Sequence, residues 1–421
     1  MIVLSHPCEG AAMNNDEVLE LTGEKNAHTP GAVSRRKFFG AAAAGAAGLV
    51  AARALQAQEK AADHKPPAQK PADIKTNIDS VRNIPRTKDS MPGRYPGRVV
   101  KIATPGASIE GKIDAAKAAE AVNRGMAELT GETDPAKSWR QFVSPSDIVG
   151  LKINPIGRNL LSTKPEVVDA IIAGLVAAGV PKSNIVIWDR RLFQMIEAGF
   201  TAERFPGIAI LGTEMKGPNG DFYDDKGEMW AKDNIDRQAP FYTADVEMKY
   251  NKNTLPMMLN EGRESYFTKI VTQKLTKIIN VPIFKNAGTT VTLCLKNLSY
   301  GSISNTSRLH AIWTKSVVEP CAFPVLRDKV VLNIVDGLQA CYDGGPGANP
   351  KFIYDANLML FGTDPVAVDL IGHELMTKER IGRGIQQFED KSRREFLDIA
   401  ASLGLGTAKR EAVTLKELAL E

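Results

Sequence analysis

Residues 146–190 read SDIVGLKINPIGRNLLSTKPEVVDAIIAGLVAAGVPKSNIVIWDR, and they decide the fold. Val149–Ile153 and Ile185–Trp188 are short apolar runs, which are typical of buried β-strands. Between them, pairs of apolar residues recur every four positions from Val167 to Val176, and this period predicts a helix with one apolar face. A strand, a helix and a strand in this order predict a βαβ unit with parallel strands and a right-handed crossover.

The ends of the predicted helix carry their own signals. The segment TKPE, residues 163–166, has the spacing of a capping box, with Pro165 in the first turn. Gly179 ends the helix, and Pro181 prevents its continuation. The preceding loop leads into a helix start whose free amides favour an anion. The alternative is a plain capped helix with solvated basic neighbours.

Further elements are predicted on both sides of this unit. Four more apolar runs predict strands at Arg98–Ile102, Lys277–Val281, Val330–Val335 and Leu358–Phe361. Helices are predicted at Asp114–Leu129 and from Pro365, the latter capped by Thr363 or Asp364. Together they favour an α/β fold, one large domain whose mostly parallel sheet has helices on both faces.

The composition divides the chain into segments. A Lys-, Pro- and Ala-rich stretch without apolar periodicity predicts a flexible linker, and a Gly-, Asn- and Asp-rich stretch predicts an insertion or lid. The predicted segments are a signal segment at 1–57, the linker at 58–97, the α/β domain at 98–380 with its insertion at 213–265, and C-terminal helices at 381–421.

The opening segment SRRKFFGAAAAGAAGLVAARALQA, residues 34–57, has the layout of a secretory signal. Its apolar part is about 15 residues long, shorter than the ~20 that span a membrane, so no stable membrane span is expected. Arg35 and Arg36 with Phe38 resemble a twin-arginine export signal, although Gly40 stands where lysine is usual. The sequence predicts export by the twin-arginine machinery to the periplasm or another extracytoplasmic compartment.

Composition excludes several classes of function. The 421 residues are 43% hydrophobic and 24% charged, and the net charge of +4 is not gathered into an arginine-rich tract, so no nucleic-acid partner is expected. Past the signal segment, Cys294, Cys321 and Cys341 form no C-x-x-C pair, so no iron–sulfur or disulfide framework is signalled. No nucleotide-binding motif is present in the sequence, and the cofactor is left unknown.

Polar residues follow several predicted strand ends, where ligands bind in open parallel sheets. Residues 285–313, KNAGTTVTLCLKNLSYGSISNTSRLHAIW, add lysines, asparagines and a histidine that could converge on a carboxylate or a phosphate. A buried, hydrogen-bonded polar loop is the alternative. The predicted ligand-binding residues are Lys152, Asn154, Thr163, Asp189, Lys285 and Asn297. The predicted catalytic residues are Lys296, His310, Asp336 and Asp364.

A divalent metal site is a further hypothesis. Asp369 and His373 are four residues apart on the predicted helix from Pro365, so they share one face. With Asp336 or Asp364 they could bind a divalent ion. Caps and surface partners are the commoner roles of such pairs.

Four motifs in order resemble those of an uncharacterised family, catalogued as domain of unknown function 362, over roughly residues 98–375. They are GLKINPIGRNLLSTKPEVVDAIIAGLVAAGV at 150–180, NVPIFKNAGTTVTLCLKNLSYG at 280–301, LNIVDGLQACYDGGPG at 332–347 and GTDPVAVDLIG at 362–372. The resemblance implies no established reaction. Some relatives carry ferredoxin-like cysteine motifs, which this chain lacks.

Three functions remain open from the sequence. The first is an exported enzyme that acts on a small anionic molecule held by Lys152, Lys285, Lys296 and the helix start at Thr163. In it, Asp336 or Asp364 is the acid/base group or a metal ligand. The second is a non-catalytic periplasmic ligand-binding protein. The third is a redox-linked protein without its own iron–sulfur cysteines.

Overall fold

A computed structural model describes residues 74–247, 262–287, 290–345, 347–385 and 392–421. All of these belong to one compact unit, residues 71–421. The predicted signal segment and the first part of the predicted linker lie outside the described residues. Within the described ranges, no helix is both long and apolar enough to cross a membrane.

The central feature is a mixed sheet to which eleven of the fifteen described strands contribute. In chain order the strands are β1 Arg98–Ala103, β2 Ser108–Ile109, β3 Lys112–Ile113, β4 Val149–Lys152, β5 Ile185–Arg191, β6 Ala209–Glu214, β7 Tyr242–Thr243, β8 Glu264–Ser265, β9 Lys277–Asn280, β10 Ile283–Ala287, β11 Thr290–Thr292, β12 Val330–Cys341, β13 Ile353–Tyr354, β14 Leu358–Gly362 and β15 Thr414–Ala419. Two pairs, β2 with β3 and β7 with β8, form separate two-stranded antiparallel sheets.

The strand order across the large sheet is β15-β1-β14-β12-β9-β4-β5-β6. Strands β12, β9, β4, β5 and β6 are parallel, whereas β14 is antiparallel to both β1 and β12. Strand β10 lies off this path, parallel to β12. The predicted βαβ unit and the predicted mostly parallel sheet are confirmed.

Of the two caps that the sequence predicts, the one at Asp364 is confirmed, because its carboxylate accepts from the backbone amides of Val366 and Ala367. The Asp114 carboxylate likewise caps the helix that begins at Ala115. The described helices are α1 Asp79–Arg82, α2 Ala115–Thr130, α3 Pro135–Arg140, α4 Pro165–Ala177, α5 Leu192–Glu197, α6 Cys294–Ser302, α7 Trp313–Ser316, α8 Pro324–Arg327, α9 Pro365–Gly382 and α10 Ser392–Ser402.

Apolar side chains fill both faces of the sheet. Alternate residues of a strand point to opposite faces, so Ile187 and Ile279 belong to one cluster while Trp188 and Ile278 belong to the other. Helices α2 and α4 cover the first face, and α6, α9 and α10 cover the second. Val176 is an exception to the predicted apolar helix face, because it is 43% exposed.

The structure differs from the predicted segments in two places. Residues 74–97, assigned to the flexible linker, pack on the core through Val81 and the fully buried Met91. The C-terminal region is not purely helical, because β15 pairs in parallel with β1 at the sheet edge. Strand β1 therefore lies between β14 and β15 in the sheet.

The predicted insertion or lid is described in part, over residues 213–247 and 262–265. The buried Arg308 guanidinium donates to the carbonyls of Ala244 and Val246 at 3.1 Å each and to that of Arg263 at 2.7 Å. The Arg308 side chain thus bonds to both described parts of this segment.

Candidate functional site

Polar side chains meet at the carboxyl ends of the parallel strands, where the sequence predicts a site. Lys152 ends β4, Asn280 ends β9, and Asp189 lies in the last part of β5. Lys285 comes from β10 and Asn297 from α6, which passes over the same edge. All five are nearly or fully buried. Parallel pairing brings these strand ends together because it aligns β4 with β5 and β9.

Lys152 and Asp189 form a buried ion pair at the centre of this edge. The Lys152 ammonium also donates to the carbonyl of Ile153 at 2.8 Å and to Asn297 Oδ1 at 3.1 Å. Burial lowers the pKa of Lys152, and the Asp189 carboxylate opposes that shift. Lys152 is therefore a fully partnered charge, which fits a structural role better than direct ligand binding.

Gly301 of α6 makes room for the Lys152 side chain. A Cβ built on Gly301 would collide with the Lys152 Cε and Nζ atoms. We expect Gly301→Ala to lower the free energy of unfolding by about 1–3 kcal/mol, because the lysine must move from Asp189. Chemical denaturation measures this change. Gly382→Ala is the control, since nothing lies within 4 Å of a Cβ there, and an equal loss in the control would contradict the expectation.

A chain of buried amides links the strands of the site. Lys285 Nζ donates to Asn154 Oδ1 at 3.0 Å, and Asn154 Nδ2 donates to Asn297 Oδ1 at 3.0 Å. Asn297 Nδ2 donates to Asn280 Oδ1 at 2.8 Å, and Asn280 Nδ2 donates to Asn333 Oδ1 at 2.9 Å. Every amide donates in the same direction, so the bonds polarise one another. The chain fixes the orientation of each member without adding a negative charge.

Sequence reasoning missed Asn280 and Asn333. Both lie inside apolar strand runs and are completely buried. Asn333 ends the amide chain by donating to the backbone carbonyls of residues 362 and 363. Each is a single asparagine inside a predicted core strand. This pattern could have identified them, because a buried side-chain amide needs hydrogen-bond partners.

Lys285 and Lys296 lie close enough for their charges to repel. Burial, and then the positive charge of Lys296, lower the pKa of Lys285 to about 7. Partial burial lowers the pKa of Lys296 to about 8. Among the described residues, the Lys285 ammonium has one hydrogen-bond partner, the Asn154 side-chain amide, while Lys296 Nζ lies 5.9 Å from the centroid of the Tyr300 ring. Neither lysine pairs with a carboxylate among the residues that the structure describes.

His310 lies beside the same aromatic ring. The rings of Tyr300 and His310 meet edge to face with centroids 5.1 Å apart. His310 Nδ1 donates to the carbonyl of Ser307 at 3.1 Å, which leaves Nε2 as the basic nitrogen. Partial desolvation, and then the charge of Lys296, lower the pKa of His310. Three of the predicted residues, Lys285, Lys296 and His310, are thus brought to one region.

The predicted capping box at the start of α4 is wrong. Lys164, not Thr163, is the N-cap, and its side chain does not cap the helix. Thr163 Oγ1 instead donates to the Val281 carbonyl at 2.8 Å and accepts from the Asn154 backbone N–H at 2.9 Å. Thr163 therefore joins the loop to the residue that follows β9, and it supports Asn154, which holds Lys285.

Asp336 supplies the cap that Thr163 does not. Its Oδ2 atom accepts from the Lys164 backbone amide at 2.7 Å, and its Oδ1 atom accepts from that of Leu338 at 3.1 Å. The sequence placed Asp336 just after a strand, but β12 continues to Cys341 and buries it. Burial raises the pKa of Asp336 to about 6, against the opposing charge of Lys164.

A pocket of about 400 Å³ lies at the start of α4. Its walls include Lys112, Arg158 and Lys164. Arg158 pairs with Glu197 at 2.9 Å, and Lys164 Nζ donates to Gln339 Oε1 at 2.7 Å. The sequence treats the start of α4, Lys285 and Lys296 as one anion site. The pocket at the start of α4 is instead lined by other cations than these two lysines.

Asp364 and Asp369 both hold helix starts. Asp364 accepts hydrogen bonds from four backbone amides, two in α9 and those of Gly97 and Thr407. Asp369 accepts from the amides of Cys294 and Leu295 at 2.7 and 3.0 Å, which fixes the start of α6. Burial raises the pKa of both, that of Asp369 to about 7.

The predicted metal site includes Asp369, whose carboxylate accepts two backbone hydrogen bonds at the start of α6. Asp369 and His373 do share one face of α9, four residues apart. Among the described residues, however, no three His, Cys, Asp or Glu side chains group as a metal site requires. The structure thus gives the predicted pair no third ligand within the described ranges.

The chain was compared with a set of family models, with curated proteins and with solved structures. A family model described as Domain of unknown function (DUF362) matches residues 149–374, which include every lysine and asparagine of the site. A search of curated proteins finds no match. A crystal structure of a Thermotoga maritima protein is similar, with 9% identity and a TM-score of 0.32. The alignment covers 63% of this chain and 59% of that one.

Proposed function

Since the chain belongs to the family described as Domain of unknown function (DUF362), we propose that its strand-end site is that of an enzyme acting on a small anionic molecule. Lys285 and Lys296 hold the anion and move the proton. Neither lysine pairs with a carboxylate of the described residues, and this observation carries the proposal, since ammonium groups withdrawn from water normally have a carboxylate partner.

Neighbouring groups support this assignment. Lys152 is neutralised by Asp189, and the amide chain around Lys285 carries no charge. A bound carboxylate or phosphate would therefore relieve the repulsion between Lys285 and Lys296. An amine whose pKa is near 7 or 8 can also give and take protons at neutral pH.

In the proposed enzyme, Asp336 and Asp364 are not the acid/base groups. Asp336 and Asp364 accept their hydrogen bonds from backbone amides at helix starts. His310, with Nε2 unprotonated, is the better partner for a proton transfer at Lys296. Asp336 and Asp364 are then positioning groups, and Thr163 supports Asn154.

We also propose that the protein acts outside the cytoplasm, after export by the twin-arginine machinery. The support is the sequence of residues 34–57, with its paired arginines, short apolar stretch and small residues before a cleavage point. Fractionation of cells that make the full chain, with and without Arg35→Lys/Arg36→Lys, tests this. Retention of the wild-type chain in the cytoplasm would contradict it.

Ligand-induced stabilisation tests the anion site. We expect at least one of pyruvate, lactate and glycerol 3-phosphate to raise the melting temperature, because a ligand that binds only the folded state stabilises it. Lys285→Met and Lys296→Met should each remove this effect, measured by differential scanning fluorimetry.

Two controls make the test specific. Lys182→Met removes an exposed lysine and should keep the full stabilisation. Sodium chloride at matched ionic strength separates site binding from general screening. Stabilisation that survives in both site variants would overturn the proposal.

Turnover distinguishes an enzyme from a binding protein. Any anion that stabilises the chain is incubated with it, and its conversion is followed by NMR. In an enzyme, His310→Gln slows conversion while binding persists, because the lysines still hold the anion. Tight binding with no conversion by the wild-type chain would assign the site to a ligand-binding protein.

A further inference from the structure

We infer that Lys296 is the nucleophile of the site and forms an imine with the carbonyl group of a 2-oxo acid. This inference rests on the proposed function, since the same anion site must hold the carboxylate. It adds the chemical class of the substrate and a covalent step.

The surroundings of the two lysines separate their roles. Lys285 is completely buried and its ammonium is held by Asn154 Oδ1 at 3.0 Å. Lys296 is only half-buried, and Nζ lies over the Tyr300 ring without a hydrogen-bond partner among the described residues. Lys296 can reach a ligand, whereas Lys285 is held in place by Asn154.

A lysine is nucleophilic only as the neutral amine. Desolvation and a second cation nearby both favour that form. Desolvation lowers the pKa of Lys296 to about 8, and Lys285, whose own pKa the charge of Lys296 lowers, is the second cation nearby. An incoming carboxylate that pairs with Lys285 keeps the charge there and leaves Lys296 free to react.

Imine formation needs only the amine, the carbonyl group and a base in the site. The lone pair of Lys296 Nζ attacks the carbonyl carbon, and one proton moves from the nitrogen to the oxygen to give the carbinolamine. The hydroxyl group then takes up a second proton and leaves as water as the C=N bond forms, and the nitrogen gives back its remaining proton to complete the neutral imine. No oxidant or reductant is consumed. His310 Nε2 is the base that can carry these protons, since Nδ1 is held by the Ser307 carbonyl.

Trapping with borohydride tests the inference. The protein is incubated separately with pyruvate, glyoxylate and 2-oxoglutarate, sodium borohydride is added, and peptides are mapped by mass spectrometry. We expect one reduced adduct per chain, located on Lys296, with at least one of the three acids. Lys296→Arg should lose the adduct, and Lys182→Arg should keep it.

Lactate serves as a control that tests anion binding without imine formation. It has the carboxylate but no carbonyl, so it should stabilise the wild-type chain and compete with trapping without forming an adduct. Lys296→Arg should keep a cooperative thermal transition. Anion stabilisation without any adduct, or an adduct on Lys285 or on exposed lysines, overturns the inference alone. Loss of stabilisation by every anion overturns the proposed function as well.

Discussion

Lys285→Met is expected to stabilise the fold at neutral pH by about 1–4 kcal/mol, while it removes anion binding. The lysine is completely buried and lacks a carboxylate partner among the described residues. Methionine has similar length and no charge, so the cost of burying an ammonium disappears. One hydrogen bond to Asn154 is lost, which offsets about 1 kcal/mol of the gain.

The same substitution has a signature in the pH dependence of stability. The pKa of Lys285 is lowered from 10.5 to about 7 in the folded chain. Below pH 7 the amine is charged in both states, so the full penalty of burial is present. Between about pH 7 and 10 the folded state releases its proton while the unfolded state keeps it, so stability rises with pH. Lys285→Met should lack this rise.

Urea denaturation at several pH values measures both effects. Lys182→Met is the matched control, because that lysine is exposed and its loss should leave the curve unchanged. Parallel pH profiles for the wild-type chain and Lys285→Met would mean that Lys285 titrates as an ordinary lysine. The proton-transfer role would then be lost with it.

Asp189→Ala is expected to be the most destabilising single change at the site. It leaves the buried Lys152 ammonium without its carboxylate, and breaking a buried pair in this way costs about 3–5 kcal/mol. The free energy of unfolding from urea titration measures the loss. The double variant Lys152→Met/Asp189→Leu should recover most of it, since apolar residues of similar size can replace a buried pair.

An exposed ion pair provides the control for Asp189. Asp169 pairs with Arg204, and both side chains are more than 40% exposed. Asp169→Ala should cost less than about 1 kcal/mol, as exposed pairs usually do. If the double variant is no more stable than Asp189→Ala, the pair is not the source of the loss.

Much of the fold could be predicted because local chemistry carries it. The period of four in α4, the proline at its first turn and Gly179 at its end are readable from neighbouring residues, and the structure has them. The Asp364 cap of α9 is equally local, since its partners are two and three residues away. Parallel pairing of β4 with β5 follows from the crossover rule.

The errors arise where distant partners override local preference. Residues 414–419, TLKELA, favour a helix by composition, yet they form the edge strand β15 because β1 offers its free backbone groups. Thr163 has the spacing of a cap, but its hydroxyl forms hydrogen bonds with the backbone of Val281 and Asn154 instead. Asp336, from another strand, caps the helix instead.

The sequence by itself determined the α/β class, the βαβ unit and the edge of the sheet where polar residues gather. Only the tertiary structure decided which of those residues are neutralised and which are not. Asp189 pairs with Lys152, while Lys285 meets Asn154, an amide 131 residues away that cannot cancel its charge. Periodicity and caps act between near neighbours, whereas the charge state of a buried lysine depends on whatever the fold packs beside it.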